Sequence, residues 1–500
     1  MLIPGRELWL DESHSVYVAR LPLSNLVTAV AGDVHPPLYF LALHAWIRAT
    51  GDSLIALRSF SLLSMALAVM LAWRTARSED GELGGLATLA LLVLSPALLV
   101  YAVEIRMYAL AMLMFVLTLF MVRRARATLT TRDAVLAGAA GALSIYTHYF
   151  ALFAVGGLFG AWLLLERRNA RTRRAAVVAS TVCALIFLPW VPTLLAQRAR
   201  KQAQTALAVN APMDSTALAF GAVPRERPGA VTRMQLTAEN IASVIGVYPA
   251  RSPATLVLLA LPFLALGLAV LQRALAQDDW ILLLIGSASA TVAGTLILGL
   301  AERRYILLLA PLTALAFARG VSKLDHSRFR TLLHACLVAV VALLAVGSVR
   351  LAGTHRPRPV TALIAMLKAQ AAPRDRLLFS APYGQILFDY HAQQAGLRLH
   401  ESGFPEETAE WWARQEFKGW GSSVPTFRDL NRAVAEQRTA AGQDGDTWLL
   451  LFETHYYDPL NLVRSRFASE GNVLLEWTSP DSTWTAVRVR MRPLPAGSDS

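Results

Sequence analysis

Ten apolar runs occupy most of the chain between Leu54 and Val349, separated by short basic connections. They are read as Leu54–Trp73, Leu83–Val103, Met107–Val122, Ala134–Tyr149, Phe150–Leu165, Ala175–Leu195, Pro253–Leu271, Trp280–Leu300, Tyr305–Phe317 and Leu332–Val349. A helix needs about 20 apolar residues to cross a bilayer, and helices satisfy their own backbone polar groups there. The expected fold class is therefore an α-helical polytopic membrane protein of about ten spans, some of them short or broken. Mean hydropathy of +0.43 and only 16% charged residues agree with this, and a single soluble core is excluded. The net charge of +12 is not a nucleic-acid signal, because its cations lie in short loops and form no single patch. Cys183 and Cys336 sit inside apolar runs and imply no disulfide framework.

The loops alternate in charge. One side collects Arg74 and Arg77, then Arg123, Arg124, Arg126 and Arg132, then Arg167, Arg168, Arg171, Arg173 and Arg174. Arg273, Arg319, Lys323, Arg328 and Arg330 follow on the same side, whereas the opposite short loops hold Arg106, Arg303 and Arg304. Cations favour the cytoplasmic side, so the segment before Leu54 is expected outside the cytoplasm. An even number of spans also puts the N-terminus outside. The expectation is that a first transmembrane helix is missing, the alternative being a short translocated tail.

That segment, LWLDESHSVYVARLPLSNLVTAVAGDVHPPLYF, carries the chemistry-bearing residues. Asp11 and Glu12 are adjacent acids next to apolar sequence, which is costly unless the charges are used. Neighbouring side chains do not share a helical face, so the two carboxylates are expected to have different roles. Pro36 and Pro37 stiffen the chain and press His35 into an extended conformation, making a corner that carries Asp33 and His35. The bland alternative is that the acids cap a helix from Ser13 to Arg20 and the prolines open another. An interfacial helix is expected over Leu38–Ile47.

Other candidates fall on the same side. Glu104 and Arg106 lie between Tyr101 and Tyr108 in a tight turn, where a helix-end salt bridge is the alternative. His148 sits between Tyr146 and Tyr149 at a helix end. Arg303, Arg304 and Tyr305 open an apolar helix where the charge rule predicts few cations. Arginine can meet a phosphate with paired hydrogen bonds, while pairing with Glu302 or lipid headgroups is the competing explanation.

WLDE, then DVHPPLYF, then GDSLIALRSFS, with the later YAVEIRMYAL, resembles the GT-C superfamily of membrane glycosyltransferases. The likeness is to the branch of protein O-mannosyltransferases, lipid A glycosylating enzymes and RgtA-like transferases, over about Trp9–Leu351. It implies inverting transfer of a sugar from a polyprenyl-phosphate donor to a lipid, polysaccharide or protein acceptor outside a bacterial inner membrane. Asp11 and Glu12 become the catalytic candidates. Asp33, His35, Glu104, Arg106, Tyr108, His148, Arg303, Arg304 and Tyr305 become candidates for substrate binding. No cofactor is certain from the resemblance; some GT-C enzymes use a divalent metal, for which Asp11, Glu12 and His35 are the alternative site.

Domains are expected at 1–53, the active-site loop; 54–351, the bundle with an outer loop at 197–251; and 352–500, an extracytoplasmic α/β domain. The 197–251 loop is a candidate lid. In the last region RLLFSAP, LRLHES, TWLLLFE, NVLLEW and WTAVRVRM read as strands, with helices near Gln385–His391, in TFRDLNRAVAEQRTA and in PLNLVRSRFASEG. His455, Tyr456 and Tyr457 follow a strand end where ligands often bind, and Trp411, Trp412 and Trp420 are core aromatics or sugar platforms. No Walker or HExxH sequence is present. A transporter is the main rival, but its ionisable residues would sit at mid-membrane, and here they crowd one face.

Overall fold

The computed structural model describes residues 7–210, 276–298, 302–324, 330–354, 360–380, 382–403, 427–441, 445–454 and 461–492, with Gly267, Leu271, Gln272 and Asp458. The chain divides into two compact units. One holds the described residues of His35–Leu194 and Arg227–His355, the other those of Gly5–Val34, Leu195–Glu226 and Arg356–Ser500.

Among its described residues the first unit is helical. It comprises α3 (Leu38–Thr50), α4 (Leu54–Val93), α5 (Pro96–Tyr101), α6 (Tyr108–Thr128), α7 (Thr131–Thr147), α8 (Ala151–Leu165) and α9 (Ala170–Phe187), numbered after two helices of the second unit. The start of α10 (Val191–Asn210) follows, then α11 (Asp279–Leu298), α12 (Leu309–Leu324) and α13 (Arg330–Thr354). Side-chain caps start several of them: Ser53 accepts from Ala56 N, Ser95 from Leu98 N just before Pro96, and Thr130 from Asp133 N. Small residues bring α8 and α11 together, since a Cβ on Gly157 would lie 2.6 Å from the Gly286 carbonyl oxygen. Ser287 Oγ donates to the Ala154 carbonyl at 2.7 Å across the same contact.

Four helices among the described residues are long and apolar enough to cross a membrane: Leu54–Val93, Tyr108–Thr128, the continuous stretch Ala170–Gln202 and Asp279–Leu298. This corrects the expectation of ten. The runs Leu54–Trp73 and Leu83–Val103 fall largely within Leu54–Val93, where two helices meet at a kink at Gly81, whose φ of +72° is glycine territory. Ser95 and Pro96 then end that helix early, so Val103 belongs to a turn. Ala151–Leu165 and Leu309–Ser322 are apolar but shorter, and Pro253–Leu271 lies almost wholly outside the described residues.

One end of this bundle is tied by ion pairs. Arg319 meets Asp80 at 2.9 Å and Asp278 at 3.0 Å, and Arg126 meets Glu166 at 2.8 Å and Asp279 at 2.9 Å. Arg123 pairs with Glu79 and lies over Trp280. The other end carries the polar and aromatic cluster described below.

The second unit joins two N-terminal helices, α1 (Leu10–Arg20) and α2 (Leu23–Gly32), to an α/β domain. That domain contains α14 (Val360–Gln370), β1 (Arg376–Phe379), α15 (Pro382–Ala395), β2 (His400–Gly403), α16 (Phe427–Ala441), β3 (Thr447–Phe452), α17 (Leu462–Glu470), β4 (Gly471–Thr478) and β5 (Trp484–Met491). The strand order is β2-β1-β3-β5-β4, with β2, β1 and β3 parallel and β5 antiparallel to both its neighbours. One sheet face packs Leu378, Leu449, Leu451, Val487 and Val489 under Leu430, Val434, Val463 and Phe467 of α16 and α17. On the other face Phe379, Phe388, Phe452 and Trp484 stack together. Strands and helices expected in this region are found; α14 was not foreseen. Trp411, Trp412, Trp420, His455, Tyr456 and Tyr457 lie outside the described residues, as does the 197–251 loop beyond Asn210.

Candidate active site

The acid pair lies in the first turn of α1, so the helix starts at Leu10 and includes both acids, ahead of the expected start at Ser13. The two carboxylates part company. Glu12 is 0% exposed and its Oε2 accepts the Trp9 amide at 3.1 Å, closing the helix N-terminus in the manner of a capping box. Asp11 stays partly accessible. Negative charge in a first helical turn is also favoured by the helix dipole.

In the same unit, buried Asp33 ends α2 and lies 3.5 Å from His14 Nε2, a residue the sequence reading passed over. Its only sequence signal was a histidine one turn after the acids. The structure thus gives Asp33 a partner on α1.

The Asp33–His35 corner is where the chain changes unit, between Val34 and His35. On the first unit's side Pro37 caps α3, as the prolines led one to expect. His35 Nε2 is 3.1 Å from Arg106 Nη2, and Arg106 is 4% exposed. Arg106 sits in the turn between α5 and α6, its amide bonded to the Glu104 carbonyl at 2.8 Å. That carbonyl also accepts from Ser61 Oγ of α4 at 2.6 Å, which locks the turn to the bundle. Glu104 itself is buried.

An aromatic wall adjoins this pair. Tyr101 meets Tyr108 edge-on, with ring centroids 5.0 Å apart, and Tyr108 lies 5.7 Å from His148. His148 is 6.2 Å from Tyr305, which stacks on Phe150 at 4.4 Å. Arg304 lies over the Tyr305 ring and pairs with Glu302 at 2.5 Å, the competing explanation weighed for it above. Arg303 is exposed. These residues form a short 3₁₀ turn, Arg303–Tyr305, and the apolar helix begins only at Leu309. The sequence candidates His35, Arg106, Tyr108, His148, Arg304 and Tyr305 are therefore drawn from α3, α6, α7 and α12 ends into one linked group. Arg58, fully buried in α4, was missed, although a lone cation inside an apolar run was a readable signal.

A family model described as dolichyl-phosphate-mannose-protein mannosyltransferase matches residues 34–192, which contain His35, Arg106 and His148. Two crystal structures of ArnT from Cupriavidus metallidurans, one apo and one bound to undecaprenyl phosphate, match 99% of this chain and 96% of theirs. Their TM-scores are 0.61, at 13% and 12% sequence identity. The chain thus shares the fold of these ArnT structures over nearly its whole length and resembles the mannosyltransferase family over residues 34–192. No curated protein sequence matches it. No group of three or more His, Cys, Asp or Glu side chains among the described residues is arranged to hold a metal ion.

Proposed function

We propose that this protein is a GT-C glycosyltransferase that moves a sugar from a polyprenyl-phosphate donor to an acceptor on the extracytoplasmic face of a bacterial inner membrane, with inversion at the anomeric carbon. The observation that carries the assignment of roles is the division of the acid pair. Glu12 is buried and accepts the Trp9 amide at the helix terminus, whereas Asp11 is partly accessible. Asp11 is then the general base that takes the proton from the attacking acceptor hydroxyl. Phosphate leaves as a stable anion and needs no acid. Arginines of the other cluster, Arg106 with Arg303 and Arg304, stabilise its growing charge through preorganised donors. Undecaprenyl phosphate in one ArnT structure supports a polyprenyl carrier of this kind. The acceptor class stays as broad as the sequence left it: lipid, polysaccharide or protein.

The test is transfer from a panel of radiolabelled polyprenyl-phosphate sugars by membranes holding equal amounts of wild type or Asp11→Asn. Asparagine keeps the shape and cannot take the proton, so the rate should fall ~10²–10⁴-fold. Equal rates would make Asp11 structural. Inactivity of the wild type towards every donor would favour a transporter. A chelator arm reads metal dependence independently.

A further inference from the structure

The helix that carries Asp11 is built into the C-terminal α/β domain, although hundreds of residues separate them in the chain. At its start, the Glu7 carboxylate accepts the Val360 and Thr361 amides, at 2.9 and 2.7 Å, and so caps α14. The Leu8 amide donates to His391 Nε2 on α15 at 3.3 Å. At its end, Arg20 donates to Gln393 at 3.1 Å and lies 5.2 Å over the Tyr390 ring. Tyr390 in turn meets His391 edge-on at 5.1 Å. The helix is thus held at both ends, roughly 16 Å apart for 11 residues at 1.5 Å each. Its partner α2 is held as well: Gln197 and Arg200 donate to the Val30 and Ala31 carbonyls, and His14 reaches Asp33.

We propose that the α/β domain positions the base: His391 and Tyr390 are positioning residues for Asp11, acting through the fixed ends of α1. This rests on the transfer reaction proposed above. The physical reason is the tolerance of proton transfer. A base displaced by about 1 Å from its productive place can lose ~10²-fold in rate, and Asp11 lies one helical turn from the Glu7 and Leu8 anchors. A base on an isolated loop would wander by more than that; a helix bonded at both ends to a sheet-backed domain does not. The alternative use for such a domain is to hold the acceptor. The two differ in which kinetic constant they govern.

The experiment uses the full chain in membranes, with His391→Leu, His391→Gln and Tyr390→Leu, each in the Asp11 and the Asp11→Asn background. Glutamine retains an acceptor for the Leu8 amide and leucine does not. The expected result is a kcat lower by ~10–100-fold in His391→Leu and Tyr390→Leu, with KM for donor and acceptor within about twofold, and recovery in His391→Gln. Once Asp11 is asparagine, the same changes should cost nothing further, because there is no base left to position. A raised acceptor KM at unchanged kcat would overturn the proposal in favour of acceptor binding. Equal losses in both backgrounds would reduce these residues to general stability. Wild-type rates in His391→Leu would overturn positioning while leaving the transfer reaction standing. A wild type that transfers no sugar would bring down both.

Discussion

Arg106 keeps its charge at any physiological pH, so burial at 4% exposure commits its surroundings to holding a cation. One of its donors faces His35, and the turn that carries it is pinned by Ser61. A preorganised fork of this kind suits a developing phosphate charge. Replacing Arg106 with lysine keeps the charge but gives up the fork, and we expect the transfer rate to fall, by ~10²-fold or more for Arg106→Ala. Unchanged rates with a lowered unfolding temperature would make Arg106 a structural residue. Glu12 offers the opposite contrast. Because glutamine can still accept the Trp9 amide, Glu12→Gln should retain both fold and most of the rate, while Glu12→Ala should cost about 0.5–2 kcal/mol of stability. A Glu12→Gln enzyme as dead as Asp11→Asn would show that Glu12 does chemistry.

Among the elements, α4 is the one that most distorts a simple count of spans. Its break is at Gly81, with φ +72° and ψ −172°, a backbone region that side chains disfavour. A Cβ there would meet nothing within 4 Å, so a substitution tests the backbone alone. Gly81→Ala should therefore destabilise the protein by about 1–3 kcal/mol, read as a lower midpoint of thermal unfolding in detergent. An unchanged midpoint would mean that the two halves of α4 can join through another geometry. In sequence this glycine stood in a polar stretch, SEDGELGG, that marked a loop between two spans. Hydropathy separates the two runs here but says nothing of the backbone conformation that joins them.

At the scale of the molecule, the second unit contains a carboxyl pair, Asp389 on α15 and Glu401 on β2, with Gln385 hydrogen-bonded to Glu401 and Tyr17 of α1 near Asp389. Loss of hydration around the Asp389 carboxyl, then its hydrogen bond and repulsion with Glu401, hold it well above the ordinary value of 3.8. A carboxyl raised in this way favours the protonated folded state. Its stabilising effect is complete below the ordinary value and is lost as pH rises towards the raised one. The residue as a whole is exposed although its carboxyl loses hydration, so solvent moderates the effect. The Asp389 contribution to stability should be lost as pH rises from about 4 to about 9, so the unfolding temperature of Asp389→Asn should fall less over that range than that of the wild type. Parallel curves for the two proteins would remove the pair from the account.

What the sequence determined by itself was local and periodic: an apolar helical bundle, five strands in the last region with their helices, the stop at Pro36 and Pro37, and the turn holding Arg106. Each of these follows from a few neighbouring residues, through hydropathy, β-propensity or the missing amide of proline. Tertiary structure alone decided which partner Asp33 takes, and that His391 of the last domain bonds to the chain just ahead of Asp11. Those outcomes depend on contacts between residues tens to hundreds of positions apart. They are set by which surfaces must be buried together, and no short stretch of sequence records that choice.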